Sequence, residues 1–438
     1  MGRRRSVGRR PLKRILFWVV YALLLAGLTV GGLEFASIFF APAWPAFELR
    51  PIKASSEAIR EIKTLATTPQ YIPFYNSWGV KDRERSVTKP TGIQFRSIVV
   101  GDSFVEGAFA LPTVTDDVEQ DWASMGITDM EAVNLGISAT GPPQYYYRIK
   151  RIALDLQPDA IVLVFYTGND FISQTLSPWS MPPFIDELPE PSVLGTVAPH
   201  LTWLAVNRLA LSEYGRGNKP IPNEFDILAA ILKKPRADRP ALLAQHLKTY
   251  YFPNKDLETM REILARGGDR FWDAFEDTGS EREFLMGWMI ATLVDNETGT
   301  WKTALDAAEA DQLVSPREID ATMSWLTAAR DLVEASGKKF LIAIAPMASM
   351  DPRYVEFWKP WPRYYAWNPQ REAARRRLEV ALRARGINVI DLSQTLAGVP
   401  GTYRLTDGHW TSLGTAIAAK AIGSELLKAR GIVRAAQH

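Results

Sequence analysis

Five short apolar runs, spread from residue 97 to residue 391, most constrain what this chain can fold into. Segments with helical patterns separate them. Strands that are apolar on both faces must be covered on both faces, so this alternation predicts a parallel sheet between two helical layers. We therefore predict the α/β class, as a three-layer α/β/α sandwich with a five-stranded parallel sheet. The predicted strands are Ser97–Val100, Ala132–Asn134, Ala160–Tyr166, Lys339–Ala345 and Asn388–Asp391.

Helix signals lie between these runs. Ser315 stands before Pro316, and Glu318 follows three residues after the serine, which is a capping box with proline at the first helical position. It predicts a helix that ends near Gly337. Other helices are predicted to begin near Ser103 and to cover about 143–156, 369–385 and 412–429.

The segment 171–314 has a different pattern. It is charged, helical in character and punctuated by proline, and it contains no strong strand run. We interpret it as a helical insertion that divides the predicted sheet domain into a first half, 96–170, and a second half, 315–438.

The N-terminus predicts a transmembrane helix. Ile15–Leu33 is uncharged and mostly apolar, and 19 helical residues span about 30 Å, the thickness of a bilayer core. Residues 1–14 hold seven basic and no acidic side chains, so the positive-inside rule keeps this end in the cytoplasm. We predict a basic cytoplasmic tail (1–14), a membrane anchor (15–40) and a juxtamembrane linker (41–95). The chain would cross a bacterial inner membrane once and place its body in the periplasm or outside the cell.

A cleaved export signal is the alternative. Arg9 and Arg10 resemble a twin-arginine signal, and Ala41–Ala43 could serve as a cleavage site. The apolar stretch is longer than a usual signal-peptide core, which favours a retained anchor. Both interpretations export the body of the protein.

Composition narrows the chemistry. Without the basic tail the chain carries 44 basic and 49 acidic side chains, so nothing indicates a nucleic-acid partner. Cysteine is absent, which excludes disulfides, thiolate metal sites and cysteine nucleophiles. Imidazole chemistry has four candidates, which are His200, His246, His409 and His438.

Four polar, glycine-bearing segments follow predicted strands or open a helix. In open parallel sheets, sites form at the carboxyl ends of the strands. A serine at the first of these turns would present its hydroxyl at the sheet edge, where helix N–H groups can receive negative charge. The segments are Val100–Phe104, Asn134–Gly141, Tyr166–Asp170 and Thr406–Trp410.

The order of these segments resembles that of the SGNH (GDSL-like) hydrolase family: GDS, a glycine block, G-x-N-D and a final Asp/His pair. The resemblance covers residues 97–430 apart from the insertion, and it implies an SGNH/flavodoxin-like fold with no metal or cofactor. It implies that Ser103 is the nucleophile, His409 the general base and Asp407 the residue that orients it. The oxyanion hole would comprise the Ser103 N–H, the Asn169 side-chain amide and one further backbone N–H.

Two positions depart from the common family pattern. The further donor, five residues after Asn134, is often glycine and is here Ala139, so Gly136 and Gly141 are alternatives. The final motif is D-x-H followed by tryptophan instead of D-x-x-H. This variant resembles the DxHW motif of alginate-acetylation proteins and other exopolysaccharide O-acetyltransferases. Residues two apart do not share a helical face, so Asp407 should lie before the last helix and bend back.

Structural interpretations stand beside the catalytic ones. Asp407 could be a helix N-cap, Asn169 and Asp170 could be turn residues, and Asp102 is expected to be structural. His200 and His246 lack a surrounding motif and are expected to be ordinary histidines. The aromatic segment Tyr354–Trp367 could stack on sugars or lie at a membrane interface, but we favour an aromatic mini-core.

The combined hypothesis is a membrane-anchored serine esterase that acts on O-acyl, and specifically O-acetyl, esters of a cell-surface polysaccharide through an acyl-serine. The alternatives are a polysaccharide O-acetyltransferase, supplied by a membrane acyl-donor protein, and a non-catalytic SGNH-fold subunit of a membrane complex. The expected partners are the acyl-ester or polysaccharide substrate and the lipid bilayer around residues 15–40.

Overall fold

The computed structural model describes residues 9–39, 76, 80–107, 111–138, 140–171, 197–198, 200–201, 204, 224–276, 282–299 and 307–432. Ala139, most of the basic tail, most of the predicted linker and much of the first part of the insertion lie outside the described residues. The chain divides into two units. One comprises Met1–Glu48 and Ser177–Lys219, and the other comprises Leu49–Leu176 and Pro220–His438.

A five-stranded parallel sheet forms the centre of the second unit, in the order β2-β1-β3-β4-β5. All five apolar runs are strands, and the α/β prediction is confirmed. Because β2 lies on one side of β1 and β3 on the other, the strand order reverses at β1, and open parallel sheets form their ligand crevices at the carboxyl edge next to such a reversal. The strands are β1 (Phe95–Gly101), β2 (Met130–Gly136), β3 (Ala160–Tyr166), β4 (Lys339–Ala345) and β5 (Asn388–Asp391).

Helices of the second unit cover both faces of the sheet. In chain order, the helices among the described residues of both units are α1 (Arg9–Ser37), α2 (Ser103–Glu106), α3 (Val114–Ser124), α4 (Pro142–Arg151), α5 (Glu224–Leu232), α6 (Arg239–Tyr250), α7 (Leu257–Ala265), α8 (Gly268–Glu276), α9 (Arg282–Thr298), α10 (Ala307–Leu313), α11 (Pro316–Ala335), α12 (Pro352–Trp358), α13 (Pro362–Tyr365), α14 (Trp367–Ala384), α15 (Ser393–Leu396) and α16 (Ser412–Arg430). Two single 3₁₀ turns, Ala153–Leu156 and Ala348–Met350, complete the described helical elements.

Alternate side chains of each strand enter two separate cores. Val99 of β1 packs in a core with Trp122 of α3 and Leu426 of α16. Its neighbour Ile98 packs on the other face with Leu326 of α11. Because successive strand side chains point to opposite faces, two helical layers are needed to bury both sets. The three-layer arrangement follows.

Most predicted helices begin where the sequence places their signals, but some differ in extent. The Ser315 side chain accepts a hydrogen bond from the Glu318 N–H and begins α11. The helix predicted over 143–156 is α4 followed by a 3₁₀ turn, because the chain leaves α-helical geometry at Ile152. The helix at Ser103 is a single turn that stops at Gly107, whose φ is 71°. The sequence analysis does not predict α3.

The described part of the predicted insertion is mainly helical. Between β3 and β4 the described residues form helices and connections and add no strand to the sheet. The aromatic segment packs against these helices as a mini-core, which confirms that expectation. Trp358 and Trp361 are fully buried, the Trp361 ring lies 5.3 Å from Phe271, and its Nε1 donates to the carbonyl oxygen of Ile263 at 2.8 Å.

The first unit contains the long apolar helix α1. Arg14–Ser37 has a mean hydropathy of 2.1 and is long and apolar enough to cross a membrane. Within this unit, the Glu34 carboxylate accepts hydrogen bonds from the backbone N–H groups of His200, at 3.1 Å, and Leu201, at 2.8 Å. His200 thus has a structural contact through its backbone.

Candidate active site

Ser103 follows β1 and begins the single-turn helix α2. The Asp102 carboxylate caps this turn by accepting a hydrogen bond from the Phe104 N–H at 3.0 Å, so Asp102 has the structural position expected of it. The Ser103 hydroxyl oxygen lies 2.7 Å from Nε2 of His409, and 306 positions separate the two residues in sequence. The fold therefore brings these two predicted site residues into hydrogen-bond contact.

A tight hairpin before α16 presents His409. Tyr403 and Trp410 form an antiparallel bridge, and Gly408 has a φ of 73°, a left-handed conformation that favours glycine. Thr411 caps α16 through its side chain, which accepts from the N–H of Gly414. The interpretation of Asp407 as the N-cap of this helix is therefore wrong, because Asp407 lies in the hairpin turn before it.

Asp407 bends back onto His409 from this turn. One carboxylate oxygen, Oδ1, accepts from the His409 backbone N–H at 3.0 Å. The other, Oδ2, lies 3.6 Å from the ring atom Nδ1 of His409 and 3.5 Å from Nε of Arg404. Burial opposes ionisation, but the His409 ring and the Arg404 charge outweigh it and hold the pKa of the Asp407 carboxyl below its usual value. A carboxylate thus faces the imidazole.

An aromatic stack fixes the plane of the imidazole. The Phe104 ring stacks on His409 with centroids 4.9 Å apart and planes at 24°. Tyr166, the last residue of β3, lies 4.0 Å away on Phe104, and Trp410 meets Phe104 edge-on at 4.8 Å. The tryptophan of the D-x-H-W segment is thus buried packing for the serine turn.

Two of the predicted oxyanion donors, Ser103 and Asn169, lie in the turns after β1 and β3. No described residue accepts a hydrogen bond from the Ser103 N–H. Asn169 is exposed after β3, and its side-chain amide lies near Asp102, where it opposes the rise in the pKa of that carboxyl. The N–H of Gly136 donates to Asn134 Oδ1 at 2.8 Å.

The N–H of Gly141 is also engaged, because it donates to Gln144 Oε1 at 3.0 Å. Hydrogen bonds within the fold therefore disfavour Gly136 and Gly141 as the alternative donors. Ala139 lies outside the described residues, so its role stays a prediction, as do the roles assigned to Ser103 and Asn169.

Gly136 allows close packing between the end of β2 and α2. A Cβ at this position would lie 2.1 Å from the backbone nitrogen of Glu106, so only glycine lets the end of β2 approach α2 this closely. The Asn134 side chain completes the contact by donating to the Val105 carbonyl oxygen at 2.9 Å. The glycine block therefore positions the serine turn.

Two buried acids lie beneath the serine turn. Burial raises the pKa of Asp102 to about 6, although the Phe104 N–H and the His409 ring oppose the shift. Burial, with the nearby Asp102 charge, raises the pKa of Asp170 well above its usual value. Asp170 Oδ2 accepts from the Tyr166 N–H at 2.8 Å, which makes Asp170 a turn residue. Within the described ranges, no cluster of three or more histidine and acidic side chains could hold a metal ion.

Two polar residues of α4 that were not predicted from the sequence, Tyr145 and Arg148, also reach this site. Tyr145 contacts Asp170, and Arg148 contacts the last residue of β1, Gly101. Their signal is weak, because only their spacing of three positions indicates a shared helical face. His246, by contrast, packs within the insertion between Tyr residues, as an ordinary buried histidine.

Comparison with known proteins supports the family resemblance. Residues 308–438 match the ALGX family, described as the SGNH hydrolase-like domain of the acetyltransferase AlgX. This match confirms the resemblance to SGNH (GDSL-like) proteins, and the five-stranded parallel sheet with its covering helices has the architecture that the resemblance implies. No curated protein matches the chain.

Solved structures that are similar to the chain share little sequence with it. A GDSL-like lipase from Bacteroides thetaiotaomicron is 11% identical, with 78% of this chain and 92% of that chain covered and a TM-score of 0.31. A lipase/acylhydrolase from Enterococcus faecalis is 13% identical (77% and 97% covered, TM-score 0.30). An acetyl xylan esterase variant from Geobacillus stearothermophilus is 9% identical (78% and 99% covered, TM-score 0.30).

Proposed function

We propose that this SGNH-fold chain is a serine esterase or acyltransferase in which Ser103 is the nucleophile, His409 the general base and Asp407 the residue that orients the base. The contact of 2.7 Å between the Ser103 hydroxyl and His409 Nε2 carries the proposal. A serine hydroxyl is a weak nucleophile unless a base receives its proton, and His409 Nε2 is close enough to receive it.

The proposed reaction proceeds through an acyl-serine. Nε2 of His409 can take the serine proton only when Nδ1, on the Asp407 side, carries the ring hydrogen. The serine oxygen then attacks the ester carbonyl carbon, and the C–O bond to the alcohol breaks. His409 returns the proton to that alcohol. A second hydroxyl attacks the acyl-serine by the same route, and Asp407 stabilises the imidazolium that forms in each half-reaction.

The oxyanion formed in each half-reaction needs donors. We assign the Ser103 N–H and the Asn169 amide, with Ala139 as the third. Ser103 and Asn169 belong to turns at the carboxyl edge of the sheet, where α2 begins. Loss of one such donor costs about 10²–10³-fold in kcat, so Asn169→Ala should lower turnover by that factor and leave KM nearly unchanged.

We propose O-acetyl groups of a cell-surface polysaccharide as the substrate. The match of residues 308–438 to an acetyltransferase family supports acetyl chemistry, and the apolar helix α1 supports an exported protein. If water accepts the acyl group, the protein is an esterase. The family description favours a second candidate, an O-acetyltransferase, in which a sugar hydroxyl accepts the group and a membrane acyl-donor protein supplies it.

The proposed membrane topology of the chain rests on the apolar helix α1. Residues 1–14 would be cytoplasmic, 15–40 would cross a bacterial inner membrane, and 41–95 would lead to the two halves of the SGNH domain, 96–170 and 315–438, with the insertion between them. Fusion of a reporter that is active only in the periplasm to the C-terminus tests this orientation. An inactive fusion that is present at normal abundance would contradict it.

A serine-directed fluorophosphonate probe tests the central proposal. Wild-type protein should be labelled, and Ser103→Ala should not, whereas Ser124→Ala, a change at an exposed serine of α3, should label like wild type. Equal labelling of wild type and Ser103→Ala would overturn it. Hydrolysis of p-nitrophenyl acetate, with and without added oligosaccharide, then separates esterase from transferase, and a non-catalytic subunit would show neither activity.

A further inference from the structure

Two side chains of α4, Tyr145 and Arg148, reach the carboxyl edge of the sheet together. They are three positions apart and therefore share one face of the helix. Both are buried, with exposed fractions of 0% and 2%. Burying a guanidinium and a phenol costs free energy unless hydrogen bonds satisfy them, and what those bonds reach indicates what the residues do.

The Tyr145 hydroxyl joins two of the turns that carry predicted oxyanion donors. It lies 3.1 Å from the carbonyl oxygen of Thr140, in the turn after β2. It also lies 2.9 Å and 3.0 Å from the two carboxylate oxygens of Asp170, in the turn after β3. Thr140 follows Ala139 in sequence and Asp170 follows Asn169, so each contact is one residue away from a proposed donor.

The Arg148 guanidinium joins the ends of β1 and β2. Nη1 donates to the carbonyl oxygens of Gly101 and Leu135, at 3.0 Å each. Nη2 donates to the Thr140 hydroxyl oxygen at 3.2 Å. Gly101 ends β1, two residues before Ser103. Because the guanidinium is planar with donors in fixed directions, it fixes the separation of the groups that it joins.

We infer that Tyr145 and Arg148 are positioning residues that set the mutual spacing of the oxyanion donors Ser103 and Asn169. Together they touch the ends or following turns of β1, β2 and β3, and the turns after β1 and β3 hold these two donors. The inference rests on the proposed function and assigns a role to α4, which contains no family motif.

The sharpest test is Tyr145→Phe, which removes one hydroxyl and keeps the ring. Donors to an oxyanion act mainly in the tetrahedral state. We therefore expect kcat for p-nitrophenyl acetate, and the rate of fluorophosphonate inactivation, to fall about tenfold with KM within about twofold. Tyr146→Phe is the matched control, because it is a neighbouring partly buried tyrosine of α4 whose ring packs on Trp325. It should react like wild type.

Two further variants address the guanidinium. Arg148→Lys keeps the charge but loses the planar fork and should slow both reactions about 100-fold, as expected for a donor displaced by about 1 Å. Its control is Arg151→Lys, at a guanidinium stacked on Tyr147. If the Arg148→Lys variant does not fold, Thr140→Val takes its place, because it removes the hydroxyl that accepts from Arg148 Nη2. It should slow fluorophosphonate inactivation and leave KM for p-nitrophenyl acetate unchanged.

The outcomes separate this inference from the proposed function. No labelling of Ser103 in wild-type protein would overturn both. Labelling in wild type but not in Ser103→Ala, with Tyr145→Phe reacting at the wild-type rate, would overturn the positioning role alone. So would a Tyr145→Phe variant with a lower unfolding midpoint but unchanged kcat and inactivation rate, because that is the behaviour of a residue that only stabilises the fold.

Discussion

Gly136→Ala is the change whose effect on catalysis follows most directly from the geometry. The added Cβ would lie 2.1 Å from the Glu106 nitrogen and 2.5 Å from the Val105 carbonyl carbon, both in the backbone of α2. Ordinary contacts of a Cβ begin at 3.4 Å, so α2 must retreat by about 1.3 Å, or the end of β2 must move as far. Neither obstacle is a flexible side chain, so the movement cannot be avoided.

The expected loss comes from that displacement. Ser103 is the first residue of α2, and a shift of about 1 Å at a reacting group costs about 10²-fold in rate. We expect kcat/KM for p-nitrophenyl acetate and the rate of fluorophosphonate labelling to fall at least that far. Overpacking should also lower the free energy of unfolding by about 1–3 kcal/mol, which urea denaturation measures. Gly92→Ala is the control, since a Cβ at Gly92 meets nothing within 4 Å.

A folded Gly136→Ala protein that is labelled as fast as wild type would refute this reasoning. It would mean that the serine turn tolerates the displacement, or that the contact between β2 and α2 does not set the position of the nucleophile. A variant that loses stability but keeps its labelling rate would lead to the same conclusion. Slow labelling in the Gly92→Ala control would show that the assay reports general damage.

Three other substitutions test the site. Asp407→Asn should lower kcat by about 10⁴-fold with little change in KM, and a loss below tenfold in steady-state kinetics would argue against Asp407 as the orienting group. Phe104→Leu removes the ring stacked on His409 and should reduce kcat about tenfold, and an unchanged kcat in steady-state kinetics would contradict that role. Asp102→Asn tests the buried cap. The pKa of the Asp102 carboxyl is about 6 in the folded chain, against 3.8 ordinarily. The folded chain therefore binds more protons than the unfolded chain between these values. As a result, the stability of the wild-type protein falls by about 3 kcal/mol as pH rises from about 4 to 6. The variant should therefore gain stability relative to wild type over that range in urea denaturation, and a constant difference would contradict the shift.

Local signals predict the elements whose residues carry them. β3 and β4 have the predicted bounds because each is a continuous apolar run that is buried on both faces. Helix α11 begins where Ser315 can accept the Glu318 N–H, a contact between residues only three apart. Helix α3 is missed because five of its eleven residues are acidic or amide side chains and its apolar positions are few.

The order of the strands needs the tertiary structure. The sequence predicts a parallel sheet, but the position of β1 between β2 and β3 depends on which helices pack on which face. That order places the turns after β1, β2 and β3 side by side. The same long-range packing explains why residue 136 is glycine. The sequence suggests the Gly136 N–H as an alternative oxyanion donor, whereas in the structure the end of β2 packs tightly against the backbone of α2 at this residue.

The sequence by itself determined the fold class, the apolar helix and the identity of the candidate residues, because each depends on side-chain type, periodicity or neighbours a few positions away. Only the tertiary structure decided that the His409 ring meets the Ser103 hydroxyl, that Asp407 lies in a hairpin turn and not at a helix cap, and that Tyr145 and Arg148 join three strand ends. These are distances between residues far apart in sequence, and they are set by the packing of the whole domain.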